Sequence, residues 1–237
     1  MQTYLFIAGH GLKRNGTFDP GATGYIKQGE HKYYAESFFE YLKKYQPKNK
    51  KVVYHTAYNV YNYGNIVSLA NSYGKNTKVI ECHFDASTNQ AAKKGHVIIY
   101  GGFKPDALDL RIADAIEAMV GVRNVHRGYK GISGRYNLGN ANRCARGGIN
   151  YRLIELGFGT SPVDSSIMLN DIDKYAKALT EAVYNVKIQE PQQQDSMAGY
   201  YVVIKGDTLW KIANEYNVSV KELKQWNNLK SDLIFPG

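Results

Sequence analysis

Apolar residues recur along this chain in two periods, and their alternation sketches the architecture. Tyr4-Leu5-Phe6-Ile7 places four apolar residues in succession and runs into Ala8-Gly9-His10-Gly11. Such a run ending on glycine predicts a strand buried on both faces that presents one imidazole at its C-terminal tip. Val79-Ile80-Glu81-Cys82-His83 and Leu153-Ile154-Glu155-Leu156-Gly157 repeat the arrangement, and Lys51–His55 and Gly95–Tyr100 read as shorter strands. Between these runs the spacing becomes helical. Tyr34, Phe38, Tyr41 and Leu42 mark a helix from Glu30 to about Lys44, and Ile66, Leu69 and Ala70 mark one within Tyr58–Tyr73. Leu110, Ala113, Ile116 and Met119 mark a third over Asp106–Val120, closed by Gly121, and Asp164–Val186 holds a last one. Lys13–Gly29, with the turn signal Asp19-Pro20-Gly21-Ala22, reads as a long loop over the first strand's end, and Arg127–Gly148 has no clean period. Strands alternating with helices predict an α/β fold: a twisted, mostly parallel sheet with helices on both faces.

The pattern stops at Gln189-Glu-Pro-Gln-Gln-Gln-Asp-Ser-Met-Ala198, which is polar and has nothing to bury. We expect a domain over 1–187, a flexible linker over 188–199 and a small module over 200–237. Tyr200–Ile204, the turn Lys205-Gly206-Asp207, a helix capped at Asp207 or Thr208, a second helix over Ser219–Trp226 and the end Leu233–Gly237 give the module a β-α-α-β outline. Leu209, Ile212, Ala213 and Tyr216 are its expected buried stripe.

Composition narrows the function classes. The 237 residues are 43% hydrophobic and 22% charged, ordinary for a globular protein, and no apolar run approaches the ~20 residues of a membrane span. No basic segment and apolar h-region precede the first strand, so a secretory signal is not expected. Residues 1–186 carry 24 Lys and Arg against 15 Asp and Glu, so the net charge of +9 resides in the larger domain. A basic body suits a polyanion. The basic residues are scattered without a helix-turn-helix, finger or RNP signature of a nucleic-acid binder, and anionic cell-wall polymers or phospholipid surfaces fit as well, so charge alone does not decide. Cys82 and Cys144 are expected to be buried and reduced, with a disulfide as the alternative.

The strand-end residues supply the chemistry. A catalytic zinc site needs three protein donors, usually imidazoles with one carboxylate, and a further carboxylate to move protons. His10, Glu30, His83 and Glu155 form such a set. Glu30 at a helix start is also what the helix dipole favours, and His31 next to it is a competent donor. Glu155 lies within an apolar strand, where an unpaired carboxylate is costly; the competing reading is a structural salt bridge. Asp19 and Asp85 read as loop-shaping residues, and His55, His96 and His126 as ordinary structural or surface histidines. Most of the 20 tyrosines are expected to be half-buried, although aromatics can also stack on sugars.

Gly9-His10-Gly11, Asp19-Pro20-Gly21-Ala22 with Gly24, Glu30, Cys82-His83-Phe84-Asp85-Ala86 and Glu155-Leu156-Gly157-Phe158 together resemble the zinc-dependent N-acetylmuramoyl-L-alanine amidases of the Amidase_3 type, over about residues 1–185. The segment between Gly24 and Glu30 is shorter than the family pattern, and Phe84-Asp85 replaces its small-polar and Asn pair. The resemblance implies Zn²⁺ held by His10, Glu30 and His83, with Glu155 as catalytic base. Tyr201-Val202-Val203, Gly206-Asp207-Thr208-Leu209-Trp210, Ile212-Ala213, Val218-Ser219-Val220, Leu223, Asn227 and Ile234–Gly237 resemble a LysM module. That likeness implies binding of N-acetylglucosamine-containing glycan through Gly206, Asp207, Thr208, Asn227 and Ile234. The expected function is hydrolysis of the N-acetylmuramic acid–L-alanine amide of bacterial peptidoglycan by a monomeric phage endolysin. It would be made in the host cytoplasm and reach the wall after holin-type release. A zinc peptidase of the stem peptide and a catalytically inactive wall-binding protein are the alternatives.

Overall fold

The computed structural model describes residues 2–89, 91–188, 200–216 and 218–237. The chain divides into two compact units, Met1–Ile188 and Gln189–Gly237. In chain order the strands are β1 (Thr3–Ala8), β2 (Gly11–Leu12), β3 (Phe18–Asp19), β4 (Lys51–His55), β5 (Lys78–Asp85), β6 (His96–Tyr100), β7 (Val125–His126), β8 (Tyr129–Lys130), β9 (Ile132–Arg135) and β10 (Asn150–Phe158). The helices of the first unit are α1 (Glu30–Tyr33), which continues through a π-helical turn (Tyr34–Phe38) into α2 (Phe39–Tyr45), then α3 (Val60–Tyr63), α4 (Ile66–Ser72), α5 (Ala107–Val120), α6 (Gly139–Arg146), α7 (Pro162–Asn170) and α8 (Ile172–Tyr184).

One six-stranded sheet organises the first unit, in the order β4-β1-β5-β10-β6-β9. β4, β1, β5 and β10 run parallel, whereas β6 is antiparallel to β10 and carries β9 parallel to itself. The expected mostly parallel sheet with helices on both faces is therefore present. Both faces are covered, which is why Tyr4-Leu5-Phe6-Ile7 can be apolar without alternation. Tyr4, Phe6, Ile80, Cys82 and Ile154 pack under residues of α2, α5 and α8 such as Phe39, Ile112 and Leu179. Leu5, Ile7, Val79 and Leu153 face Val60, Ile66, Ala70, Ala141 and Cys144 of α3, α4 and α6. Both cysteines are buried and free.

Three elements depart from expectation for local reasons. The helix expected within Tyr58–Tyr73 is two helices, because Gly64 adopts a left-handed conformation (φ 68°) that ends α3. The last helical stretch is also two: Ser161 caps α7, with Pro162 in its first turn, and α8 starts after Asp171. Arg127–Gly148, without a readable period, contains β8, β9 and α6. Of these, α6 buries only Asn140, Ala141 and Cys144, too few positions for a helical stripe.

The second unit contains α9 (Leu209–Glu215) and α10 (Val220–Trp226). Thr208 is the cap of α9, its hydroxyl accepting the Lys211 N–H, while Asp207 closes the preceding turn by accepting from Ile204 N–H and Tyr201 O–H. Ser219 and Glu222 form a capping box on α10. Leu209, Ile212 and Ala213 are buried, but Tyr216 is half exposed and meets Tyr201 edge-on instead. The outer segments are joined by Gly237 N–H donating to Val203 C=O, without a regular strand ladder among the described residues. The linker expected over 188–199 lies, but for Ile188, outside the described residues.

Candidate metal centre

The C-terminal ends of β1, β5 and β10 converge at one edge of the sheet, the position at which open α/β sheets bind ligands. His10 follows β1 with φ 63°, a conformation uncommon for a non-glycine residue and found often at functional sites. His83 sits on β5, directly paired with Glu155 on β10. A bulge in β10 just beyond Glu155 shifts the register before Phe158, a device that re-aims side chains beside sites. Glu30 enters from the start of α1 and is fully buried.

His10, Glu30 and His83 each offer a donor atom within 4.8 Å of the others. Glu30 Oε1 lies 2.6 Å from His83 Nδ1, and Glu30 Oε2 lies 3.4 Å from His10 Nε2. Glu30 Oε2 also accepts the Ala22 N–H at 3.0 Å. His31 is not part of this group: its Nδ1 turns to the Gly9 carbonyl at 2.9 Å, and its ring packs edge-on against Phe18. Glu30 therefore stands with the two histidines.

The surroundings of the three donors suit a divalent cation. Glu30 Oε1 is buried, and its one close polar neighbour among the described residues is His83 Nδ1, the atom with which it would share a cation. Burial alone would lower the proton affinity of His83, but Glu30 and Glu81 hold it well above the ordinary imidazole value. A field that draws a proton onto that ring draws a divalent cation more strongly. Two glycines leave the rings room. A Cβ on Gly9 would stand 2.2–2.6 Å from the His83 ring, and one on Gly21 (φ 74°) would stand 2.6 Å from His10 and 2.8 Å from Glu30. The residues present fit a zinc-type donor set. Gly21→Ala is expected to cost more than about 1 kcal/mol from backbone strain alone. It should also weaken divalent-cation uptake, both measurable by thermal unfolding with and without added zinc.

Glu155 lies beyond His83 on the same sheet face. Burial pushes its carboxyl up to about 8, against the opposing pull of His83, Arg123 and Arg135, and its Oε2 has no partner among the described residues. Asp85 and His96, expected to be bland, are brought within 4.8 Å of Glu155 and of each other. Arg123 ion-pairs with Asp85, donates to His96 Nε2 at 3.0 Å, and lies 4.6 Å over the Phe158 ring. Its guanidinium thus already supplies positive charge between those two residues. Burial, with Arg135 nearby, lowers the His96 value to about 4, and its Nδ1 lies 2.7 Å from both Ser133 Oγ and Asn124 Nδ2. Asp19, expected to shape its loop, does so by accepting the Gly21 N–H, and also lies 3.2 Å from His10 Nδ1. His55 and His126 join neither group. The signal for Asp85 was available in the strand period: 81, 83 and 85 share the His83 face. Nothing in sequence marked Arg123.

A cavity of about 280 Å³ opens beside the histidines, lined by His10, Asp19, Tyr61, Glu81, His83 and Tyr151 among others. In the second unit, Asp207, Thr208 and Asn227 use their side chains on a turn and on helix ends, Gly206 has φ 98°, and Ile234 is half-buried.

Residues 5–185 match the Amidase_3 family, N-acetylmuramoyl-L-alanine amidase. The chain belongs to this amidase family. Residues 201–237 match the LysM domain. The chain is 32% identical over 200 residues to the probable autolysin PH of Staphylococcus aureus, covering 78% of this chain but 38% of that protein. Over 36 residues, 15% of this chain and 11% of that protein, it is 61% identical to the N-acetylmuramoyl-L-alanine amidase sle1 of Staphylococcus saprophyticus. The chain thus spans well under half the length of these relatives. In fold, the chain resembles the catalytic domain of the CD27L endolysin targeting Clostridia difficile (TM-score 0.59, 20% identity, 80% of this chain and 99% of that one). It also resembles the amidase Ami1 of Mycobacterium smegmatis (TM-score 0.60, 16% identity, 78% and 95%).

Proposed function

We propose that this amidase hydrolyses the amide between N-acetylmuramic acid and the L-alanine of the peptidoglycan stem, with zinc held by His10, Glu30 and His83. The observation that carries the proposal is the convergence of those three donors beside Glu155, a half-buried carboxylate whose Oε2 is buried with no partner among the described residues. Zinc bound there supplies Lewis acidity, polarising a carbonyl and acidifying water towards a pKa of ~7. Glu155 takes the proton of the attacking water and delivers it to the leaving amide nitrogen. Its burial favours holding that proton between the two events. Arg123 fixes Asp85 and His96 around Glu155 and limits where its carboxyl can turn.

In the LysM module, Gly206, Asp207, Thr208, Asn227 and Ile234 would line the site for N-acetylglucosamine-containing glycan, with Asp207, Thr208 and Asn227 also holding the turn and helix ends there. Attachment to the polymer raises the local concentration of scissile bonds. The basic amidase domain suits anionic wall polymers. No helix among the described residues is long and apolar enough to cross a membrane. Lysis on behalf of a phage, with holin-type release, completes the proposal. Its check is whether expression inside a susceptible cell causes lysis only when a holin is co-expressed.

The test of the activity is mass spectrometry of purified walls digested with and without a chelator. New N-terminal L-alanine with free muramic acid is expected, lost on chelation and restored by zinc. Cleavage between amino acids would overturn the amidase assignment in favour of a stem peptidase, and no cleavage under any metal would favour a wall-binding protein.

A further inference from the structure

We infer that Glu81 is the positioning residue for His83, holding the proton of that ring on Nε2 so that Nδ1 keeps its lone pair for a metal ion. The inference rests on the zinc reading above. The two nitrogens of His83 face different carboxylates. Nδ1 lies 2.6 Å from Glu30 Oε1, on the side of His10, and Nε2 lies 3.3 Å from Glu81 Oε1. A neutral imidazole has one N–H and one lone pair, and the partner of one nitrogen decides which role falls to the other. A carboxylate behind Nε2 therefore leaves Nδ1 as the donor and fixes the ring's rotation about its strand.

Glu81 is itself held from three elements. It lies on β5 and is 4% exposed. Tyr151 of β10 donates its hydroxyl to Oε2 at 2.6 Å, and Asn140 of α6 reaches both oxygens at 3.0 and 3.1 Å. Asn140 Oδ1 in turn accepts from Arg143 Nη1 at 3.0 Å. This network leaves the carboxylate no freedom to swing round and join the donor group, which does not include it. His10 has a looser counterpart: Asp19, 3.2 Å from its Nδ1, is a quarter exposed and shared with Lys13 and the Gly21 N–H. The two rings are thus held unequally, and the tighter hold is on His83. Neither Tyr151 nor Asn140 carried a readable signal, because their partner lies on another element.

The test uses the full chain, labelled with ¹⁵N-histidine and loaded with zinc. The expected spectrum has the His83 proton on Nε2 and the metal-shifted resonance on Nδ1. Glu81→Leu is expected to weaken zinc binding by about 10–100-fold in competition with a chromogenic chelator. Glu81→Gln, whose amide oxygen still accepts the Nε2–H, should stay within a few-fold of wild type, with Tyr151→Phe between them. A His83 proton on Nδ1 overturns the inference, as does a folded Glu81→Leu protein with wild-type zinc affinity. Should Glu81→Leu not fold, the wild-type spectrum and Tyr151→Phe decide. A wild-type chain that takes up no zinc would overturn the metal reading itself, and this inference with it.

Discussion

Glu155→Gln is expected to leave a folded, zinc-binding protein that releases N-terminal L-alanine from purified walls about 10²–10⁴ times more slowly, the usual contribution of a positioned proton-transfer group. The substitution preserves shape and removes only the capacity to take and return a proton. Stability should not fall, because Oε2 makes no hydrogen bond that the amide would lose and burial already disfavours the charged carboxylate. The sign of the pH effect follows. The folded-state value near 8 stands above the ordinary 4.5, so the folded protein holds this proton longer than the unfolded chain does. In the chelated wild type that contribution is fully present below about pH 4.5 and is lost as pH rises to about 8; Glu155→Gln removes that slope. Product release at constant zinc occupancy and thermal unfolding at pH 5 and pH 8 measure the two effects. A variant that clears walls at the wild-type rate would move the proton-transfer role elsewhere, with Asp85 the next carboxylate on that face.

The residues of this centre were unequally legible in the sequence, for physical reasons. His10, His83 and Glu155 stand at the ends of apolar runs, and a polar residue interrupting such a run has to be explained by an interaction. The strands that carry them were readable because burial on both faces leaves no ambiguity of period. Glu30 was harder, since a first-turn acid is equally what a helix dipole favours and His31 competes beside it; only the turn of His31 towards the Gly9 carbonyl separates them. Asp85, His96 and Arg123 were not legible as a group. They come from β5, β6 and the segment after α5, and the antiparallel pairing of β6 with β10 brings His96 opposite Glu155. Parallel βαβ reasoning does not supply that reversal. β9 and α6 escaped for a related reason: each buries few apolar residues, and α6 turns Asn140 towards a carboxylate rather than a leucine towards the core.

The same blindness to paired polar groups hid the ion-pair network that anchors β10 from its other side. Arg152, three residues before Glu155 and on the opposite face of β10, is 1% exposed, a cation inside the protein. Its Nε donates to Asp109 Oδ1 at 2.8 Å, its Nη1 to Asn150 at 2.8 Å and its Nη2 to Asp106 at 3.2 Å. Asp106 and Asp109 form the capping box of α5, so one guanidinium ties the start of that helix to the strand. Arg152→Met is expected to destabilise the protein by about 3–5 kcal/mol at pH 7, because Asp109 is left buried without a counter-charge. The loss should shrink in acid. Burial would raise the Asp106 carboxyl, but Arg152 holds it down at about 2, so its contribution is present above about 3.8 and disappears as pH falls towards 2. Burial holds Asp109 above its ordinary value, and without Arg152 its penalty applies above 3.8 and vanishes once it is protonated. Both signs give a large difference in urea midpoint between wild type and variant at pH 7 and a small one near pH 2. Arg152→Met with Asp109→Leu should recover much of the loss, since no charge then remains buried. A single variant within about 1 kcal/mol of wild type, the range typical of exposed pairs, would show that water reaches the guanidinium. The zinc affinity of the folded fraction should not change, because Arg152 and Glu155 lie on opposite faces of β10 and only the latter faces the proposed metal centre.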